Sequence, residues 1–173
     1  MKEDLVWYVS YGSNMLRERF MCYIEGGICK ENGAKYNGCE DKTPPRDNKP
    51  YLIKNYRMYF GKESQKWDNG GVSFLEEKEG AETLGRMYLI TWEQFCDVLC
   101  QEGCGSEWYC DRVRLNPEKP EDIPIYTITN KKKRPVKPPS KKYLDVVARG
   151  LKETFGDQLS PKEIDEYLEL CMK

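Results

Sequence analysis

A chain of 173 residues with 39% apolar and 33% charged residues carries enough aromatic and branched side chains for one core, so global disorder is excluded and one domain over residues 1–173 is expected. The formal net charge of −1 provides no field that would favour nucleic acid or an acidic membrane surface, and no stretch approaches the roughly 18 apolar residues of a membrane span. Met1-Lys2-Glu3-Asp4 runs into a short apolar stretch without an export-signal pattern, so the eight cysteines read as reduced thiols of a cytoplasmic protein.

Leu5 to Val9 alternates and is rich in aromatic and β-branched residues, the pattern of a strand, and it breaks at Gly12-Ser13-Asn14. A helix is expected to start there, capped by Ser13 or Asn14, with Met15, Leu16, Arg19 and Phe20 as a short amphipathic pattern. Glu25 to Pro50 is rich in Gly, Asn, Lys, Asp and Pro and predicts a long ordered loop or partial lid. Strand candidates follow at Tyr51 to Phe60, Gly71 to Leu75 and Thr83 to Ile90. Thr91-Trp92-Glu93-Gln94 forms a capping box. The helix it opens should end near Gly103, and along it Phe95, Val98, Leu99 and Glu102 share one face.

Glu107 to Leu115 and Ile123 to Thr129 are the last strand candidates, and 130 to 139 is a basic, proline-rich connection. Pro138-Pro139-Ser140 introduces a helix with Tyr143, Val146, Val147, Leu151 and Phe155 at helical spacing and Gly156 at its end. A final helix opens at Ser160-Pro161-Lys162-Glu163, with proline at the first helical position and Ile164, Tyr167, Leu168 and Cys171 facing inward.

Backbone N–H groups at the corner where a strand ends in Gly-Ser-Asn and feeds a helix suit carboxylates and oxyanions. Taken alone, the same fragment reads as an ordinary capped turn. Glu102 lies on the apolar face at a helix C-terminus, where desolvation and the dipole both disfavour its anion, so its pKa should rise toward a range useful for proton transfer. Taken alone, a glutamate before glycine is as a rule a solvated helix end. Tyr109, Tyr126 and Tyr143 fall at or beside element ends and offer hydroxyls to a pocket, or serve as core aromatics. The absence of histidine excludes Ser-His and Cys-His nucleophiles, and Gly26-Gly27 and Gly70-Gly71 lack the context of phosphate-binding loops. Cys96, Cys100, Cys104 and Cys110 lack a CxxC knuckle, which favours apolar thiols over a zinc site. Lys131-Lys132-Lys133-Arg134 reads as a solvated turn rather than a nucleic-acid contact.

Taken in order, VWYVSYGSNM at 6 to 15, WDNGGVSFL at 67 to 75, ETLGRMYLITWEQFCDVLCQEG at 82 to 103, YTITN at 126 to 130 and PPSKKY at 138 to 143 resemble the gamma-glutamylcyclotransferases. The first is similar to the family's Tyr-Gly-Ser-Asn loop, the second to its Trp-x-Gly-Gly strand with one additional residue, and the third to the strand and helix that end in the catalytic glutamate before glycine. The resemblance implies an α+β fold, a small mixed β-barrel of about six strands flanked by helices. It implies Glu102 as general acid/base, Tyr11, Gly12, Ser13 and Asn14 as the cradle of the γ-glutamyl group, and Tyr109, Tyr126 and Tyr143 as pocket tyrosines. The implied reaction is attack of the glutamyl α-amine on its own γ-carbonyl, which closes 5-oxoproline and releases an amine or amino acid without cofactor or metal. Partners reduce to the small γ-glutamyl substrate, with no nucleic acid and no membrane, and a homodimer is left open. The departure is Glu25 to Pro50, which is longer than the family's usual link. Two other readings stand beside this one: a non-catalytic small-ligand-binding module on the same fold, and a thiol-based zinc or redox protein.

Overall fold

The computed structural model describes residues 4–103 and 105–173. In chain order the elements are β1 (Leu5–Ser10), a 3-10 turn (Ser13–Met15), α1 (Arg17–Glu25), β2 (Gly27–Ile28), β3 (Lys35–Tyr36), β4 (Asp47–Ser64), a 3-10 turn (Gln65–Trp67), β5 (Gly70–Thr91), α2 (Trp92–Gln101), β6 (Asp111–Arg114), β7 (Ile125–Thr129), α3 (Lys141–Phe155) and α4 (Pro161–Cys171). The fold is α+β, with a five-stranded mixed sheet in the order β4-β5-β1-β7-β6 and a small β2-β3 ladder.

β1 is the central strand, antiparallel to β5 from Leu5–Thr91 to Ser10–Arg86 and parallel to β7 at Trp7–Ile125 and Tyr8–Tyr126. Its alternation divides the interior in two. Val6 and Tyr8 join Phe20 and Ile24 of α1 and Phe95 and Val98 of α2. Trp7 and Val9 face the opposite layer, where Val146, Val147 and Leu151 of α3 meet Ile164 and Leu168 of α4. Each helix thus covers an apolar sheet face with its own apolar stripe.

Segments 71–75 and 83–90 belong to one strand element, β5, whose ladder with β4 is interrupted only at 78–81: Glu77 pairs with Tyr56 and Glu82 with Lys54, and the residues between bulge out opposite Asn55. Register shifts at Lys54/Tyr56 and Gly61/Glu63 bend this long pair. The chain beyond β7 then returns along β4, with Lys62 N–H donating to the Pro135 carbonyl at 2.9 Å and Lys137 N–H to that of Phe60 at 3.1 Å. That contact adds an isolated bridge, Gly61 to Val136, on the free edge of β4, and among the described residues the ladders do not close the sheet into the expected barrel. From 107 to 115, only Asp111–Arg114 is strand; the preceding residues turn, with Tyr109 N–H bonding the Gly103 carbonyl at 3.2 Å.

The expected capping box of Thr91 with Gln94 forms, and at the expected start of α4 Ser160 and Glu163 make a second one. The expected cap of α1 does not. A 3-10 turn intervenes, Leu16 holds the N-cap position without a side-chain cap, and Glu153 Oε1 accepts the Arg17 N–H at 3.0 Å. The polar side chain of Asn14 is committed elsewhere, as described below. Residues 25–50 are not a free lid: they include the β2-β3 ladder and are bound to α2, with Gly38 N–H donating to Gln101 Oε1 and Gln94 Nε2 to the carbonyls of Asp41 and Thr43. Among the described residues, no helix is long and apolar enough to cross a membrane.

Candidate active site

The loop after β1 is fixed from three directions. Tyr88 Oη on β5 donates to the Asn14 carbonyl at 2.7 Å, and Arg86 Nη1 to that of Met15 at 2.9 Å. On the α3 side, Gly150 allows close approach, since a Cβ there would come within 2.7 Å of Leu16 N. Within the loop, the N–H groups of Met15 and Leu16 return to the carbonyls of Gly12 and Ser13, both at 3.2 Å, whereas those of Ser13 and Asn14 have no carbonyl partner among the described residues. Gly12 is required by space, because a Cβ would lie 2.9 Å from both Ser73 Oγ and Tyr143 Oη.

Glu102 ends α2, where Gly103 takes a positive φ of 86° and turns the chain away. Its Oε1 accepts from Asn14 Nδ2 at 2.7 Å, and the same amide nitrogen reaches Tyr8 Oη at 3.3 Å. Burial raises the Glu102 carboxyl above the usual carboxylate range, opposed by the charge of Arg19 and by hydrogen bonds from Asn14 and Tyr23. Asn14 Oδ1 is buried without a partner.

Tyr11, Tyr109 and Tyr143 converge on this point with hydroxyls kept protonated by burial. Tyr11 Oη donates to the Ile128 carbonyl at 2.8 Å and Tyr109 Oη to the Ser73 carbonyl at 2.8 Å. Tyr143 Oη accepts the Ser73 N–H at 3.1 Å and bonds Ser73 Oγ at 3.0 Å. Tyr126 does not join them. Its ring packs on Trp92 and Phe95, at 5.5 and 5.8 Å between centroids, because its position on β7 directs it to the layer covered by α2.

Two cavities meet at Glu102. A narrow cleft of about 30 Å³ is lined by Tyr8, Tyr11, Gly12, Asn14 and Ser73, and an open cavity of about 430 Å³ by Arg19, Tyr23, Tyr36, Lys66, Trp67 and Trp108. Ser13, Glu102, Tyr109 and Tyr143 line both.

Arg19 has no counterpart among the residues singled out by sequence, where it counted only as part of an amphipathic pattern. It is 2% exposed, its Nη2 donates to Tyr23 Oη at 3.0 Å and Tyr36 Oη at 2.9 Å, and its Nε and Nη1 are buried without partners. The available signal was an arginine on the apolar face of a short helix directly after the glycine loop, a place where a charge needs a reason. Tyr36 could not be assigned from sequence because its position depends on how residues 25–50 fold over α2.

Cys96, Cys100 and Cys110 form no group of metal-donor atoms among the described residues, and Cys104 lies outside them. One such group is present elsewhere, at Cys22, Cys29 and Glu31. Burial, followed by the hydrogen bond with Cys29, pushes the Cys22 thiol up to about 12.

The layers, the glycine loop and the glutamate ending α2 together define the gamma-glutamyl cyclotransferase fold. A solved gamma-glutamyl cyclotransferase superposes with a TM-score of 0.66 over 95% of this chain and 86% of its own, at 19% identity. An uncharacterized protein from Homo sapiens does so with a TM-score of 0.67 over 96% and 88%, at 20% identity. The gamma-glutamyl cyclotransferase specific to glutathione from yeast gives 0.55 over 98% and 97%, at 11% identity. By sequence, the chain is 34% identical over 204 aligned residues to histone deacetylase 5 of Arabidopsis thaliana, covering 95% of this chain but 30% of that relative's length. No family model matches the chain.

Proposed function

We propose that this chain is a gamma-glutamylcyclotransferase-type enzyme, a single domain that cyclises a γ-glutamyl group to 5-oxoproline and releases an amine or amino acid. The observation that carries the reading is the Asn14–Glu102 hydrogen bond at the junction of the two cavities, beside an unpartnered Asn14 Oδ1. Two acceptors, Asn14 Oδ1 and the Glu102 carboxylate, then face the position of the attacking α-amine. Glu102 takes the amine proton as the nitrogen adds to the γ-carbonyl carbon, and the N–H groups of Ser13 and Asn14 receive the oxyanion. Collapse breaks the bond to the leaving nitrogen, which receives that proton from Glu102. The substrate contains its own nucleophile, so the principal task of the protein is to hold it folded. A carboxyl raised by burial suits both halves of this transfer. Cys22, Cys29, Cys39, Cys96, Cys110 and Cys171 are free thiols, which supports a reducing, cytoplasmic setting.

The test is release of 5-oxoproline from a panel of γ-glutamyl amino acids and amines, with Glu102→Gln as the comparison. Turnover that falls by about 10²–10⁴-fold in the variant is expected. Absence of release from every compound, with the fold intact and ligand still bound, would instead favour the non-catalytic binding module.

A further inference from the structure

Resting on that reading, we propose that Arg19 is a specificity residue that holds a carboxylate on the leaving amine, so that the site selects γ-glutamyl amino acids or peptides over γ-glutamyl amines without an acid group. The first observation is the state of Arg19 itself. A guanidinium that is 2% exposed carries two buried donors, Nε and Nη1, with no partner, although its Nη2 is occupied by the hydroxyls of Tyr23 and Tyr36. Leaving charged donors unpaired in the interior is costly, and the arrangement is explained if a ligand completes it.

The second observation is how the guanidinium is held. Its Cζ lies 4.7 Å from the Tyr23 ring centroid, 4.8 Å from that of Tyr36 and 5.5 Å from that of Trp67. Three rings and two hydroxyls fix the plane of the fork, and Nε and Nη1, on separate edges of the guanidinium, are each left to give a single charge-assisted bond to an anion. Lys66 lines the same cavity, its Nζ 5.1 Å from the Tyr36 centroid, and adds a second positive charge. The acidic groups there are Glu102 and Glu63, and Glu63 faces Lys137 at 3.8 Å.

The third observation decides which carboxylate is meant. A γ-glutamyl amino acid has two, one on the glutamyl α-carbon and one on the leaving group. The cradle loop, with Gly12 and Asn14, lines the narrow cleft, whereas Arg19 lines only the open cavity on the other side of Glu102. If the cradle takes the glutamyl portion and Glu102 stands between the two nitrogens, Arg19 meets what departs.

The experiment is calorimetric binding of γ-glutamylalanine and of γ-glutamylethylamide, which differ by the leaving-group carboxylate alone, to Glu102→Gln protein with Arg19 or with Arg19→Met. With Arg19, the dipeptide should bind about 10- to 100-fold more tightly, the range expected for a charge-assisted pair. Arg19→Met should remove that advantage and leave the affinity for the ethylamide unchanged, which also shows that the variant is folded. Equal binding of the two compounds to protein with Arg19 would overturn the proposal without need of any variant. So would loss of both affinities in Arg19→Met protein that retains its native circular dichroism, since Arg19 would then hold the glutamyl end. If Arg19-dependent binding is found while protein with native Glu102 releases no 5-oxoproline, this inference stands and the cyclase reading falls.

Discussion

Removing one oxygen, by Tyr143→Phe, measures how firmly the cradle is tied to the sheet. The substitution keeps the ring and its edge contact with Trp67 at 4.9 Å, and removes the acceptor of the Ser73 N–H and the partner of Ser73 Oγ. Ser73 is 2% exposed, so water does not readily replace either bond. A buried polar group deprived of its partner costs about 1–3 kcal/mol; the hydroxyl can rotate whereas the amide cannot, which places the total near 2–4 kcal/mol. In a chain of this length each kcal/mol lowers Tm by about 2–4 °C, which predicts a fall of about 4–16 °C. Urea denaturation with an unchanged m-value checks that the loss is one of native-state stability. Because Gly12 packs directly against the same hydroxyl, turnover should fall as well. A loss below about 0.5 kcal/mol, the range of ordinary surface substitutions, would refute the view that Tyr143 braces the cradle through Ser73.

Three further outcomes follow from the same geometry. Glu102→Gln should raise stability at neutral pH: burial makes the folded protein hold this proton to higher pH than the unfolded chain, so native Glu102 loses stability as pH rises from about 4.3 through its folded pKa. Thermal scans should show the gap between the two proteins closing below about pH 4, and a variant that is less stable at pH 7 would contradict the assignment. Gly12→Ala places a Cβ 2.9 Å from Ser73 Oγ and Tyr143 Oη, and should cost about 1–3 kcal/mol by denaturant titration together with most of the turnover. Ser160→Ala removes the cap of α4 and should cost about 1 kcal/mol while leaving 5-oxoproline release unchanged.

The elements governed by local patterns were legible in the sequence. The alternation of Leu5 to Val9, the box at Thr91, the helix start at Ser160-Pro161 and the seven-residue return from Phe95 to Glu102 depend on neighbours a few positions apart, and all of them form. What sequence misplaced depends on distant partners. Charged residues 76–82 look like a turn between strands, and 78–81 do leave the ladder, but Glu76, Glu77 and Glu82 stay paired because β4 continues beside them. Ser13 and Asn14 look like helix caps, yet the Asn14 amide is drawn to Glu102, 88 positions away. Tyr126 and Tyr143 are both tyrosines near element ends, and only tertiary packing separates the one that faces α2 from the one that braces Ser73.

The distribution of unmet hydrogen bonds argues for the orientation of a ligand as well as for its presence. Four buried side-chain polar atoms among the described residues lack partners, and three of them, Asn14 Oδ1 and Arg19 Nε and Nη1, belong to residues that line the two cavities. The tyrosines nearby show that this is not a general shortage, since Tyr11, Tyr109 and Tyr143 all find protein partners. The unmet acceptor lies on the side of the narrow cleft and the unmet donors on the side of the open cavity, with Glu102 between them. A molecule that presents N–H groups at one end and an anion at the other satisfies both in one direction only. Reversing it would set ammonium against guanidinium and leave Asn14 Oδ1 without a donor. On the proposed reading, the cost of leaving these groups unmet in the free protein is what gives the bound substrate its direction, and hence places the α-amine rather than the leaving nitrogen first at Glu102.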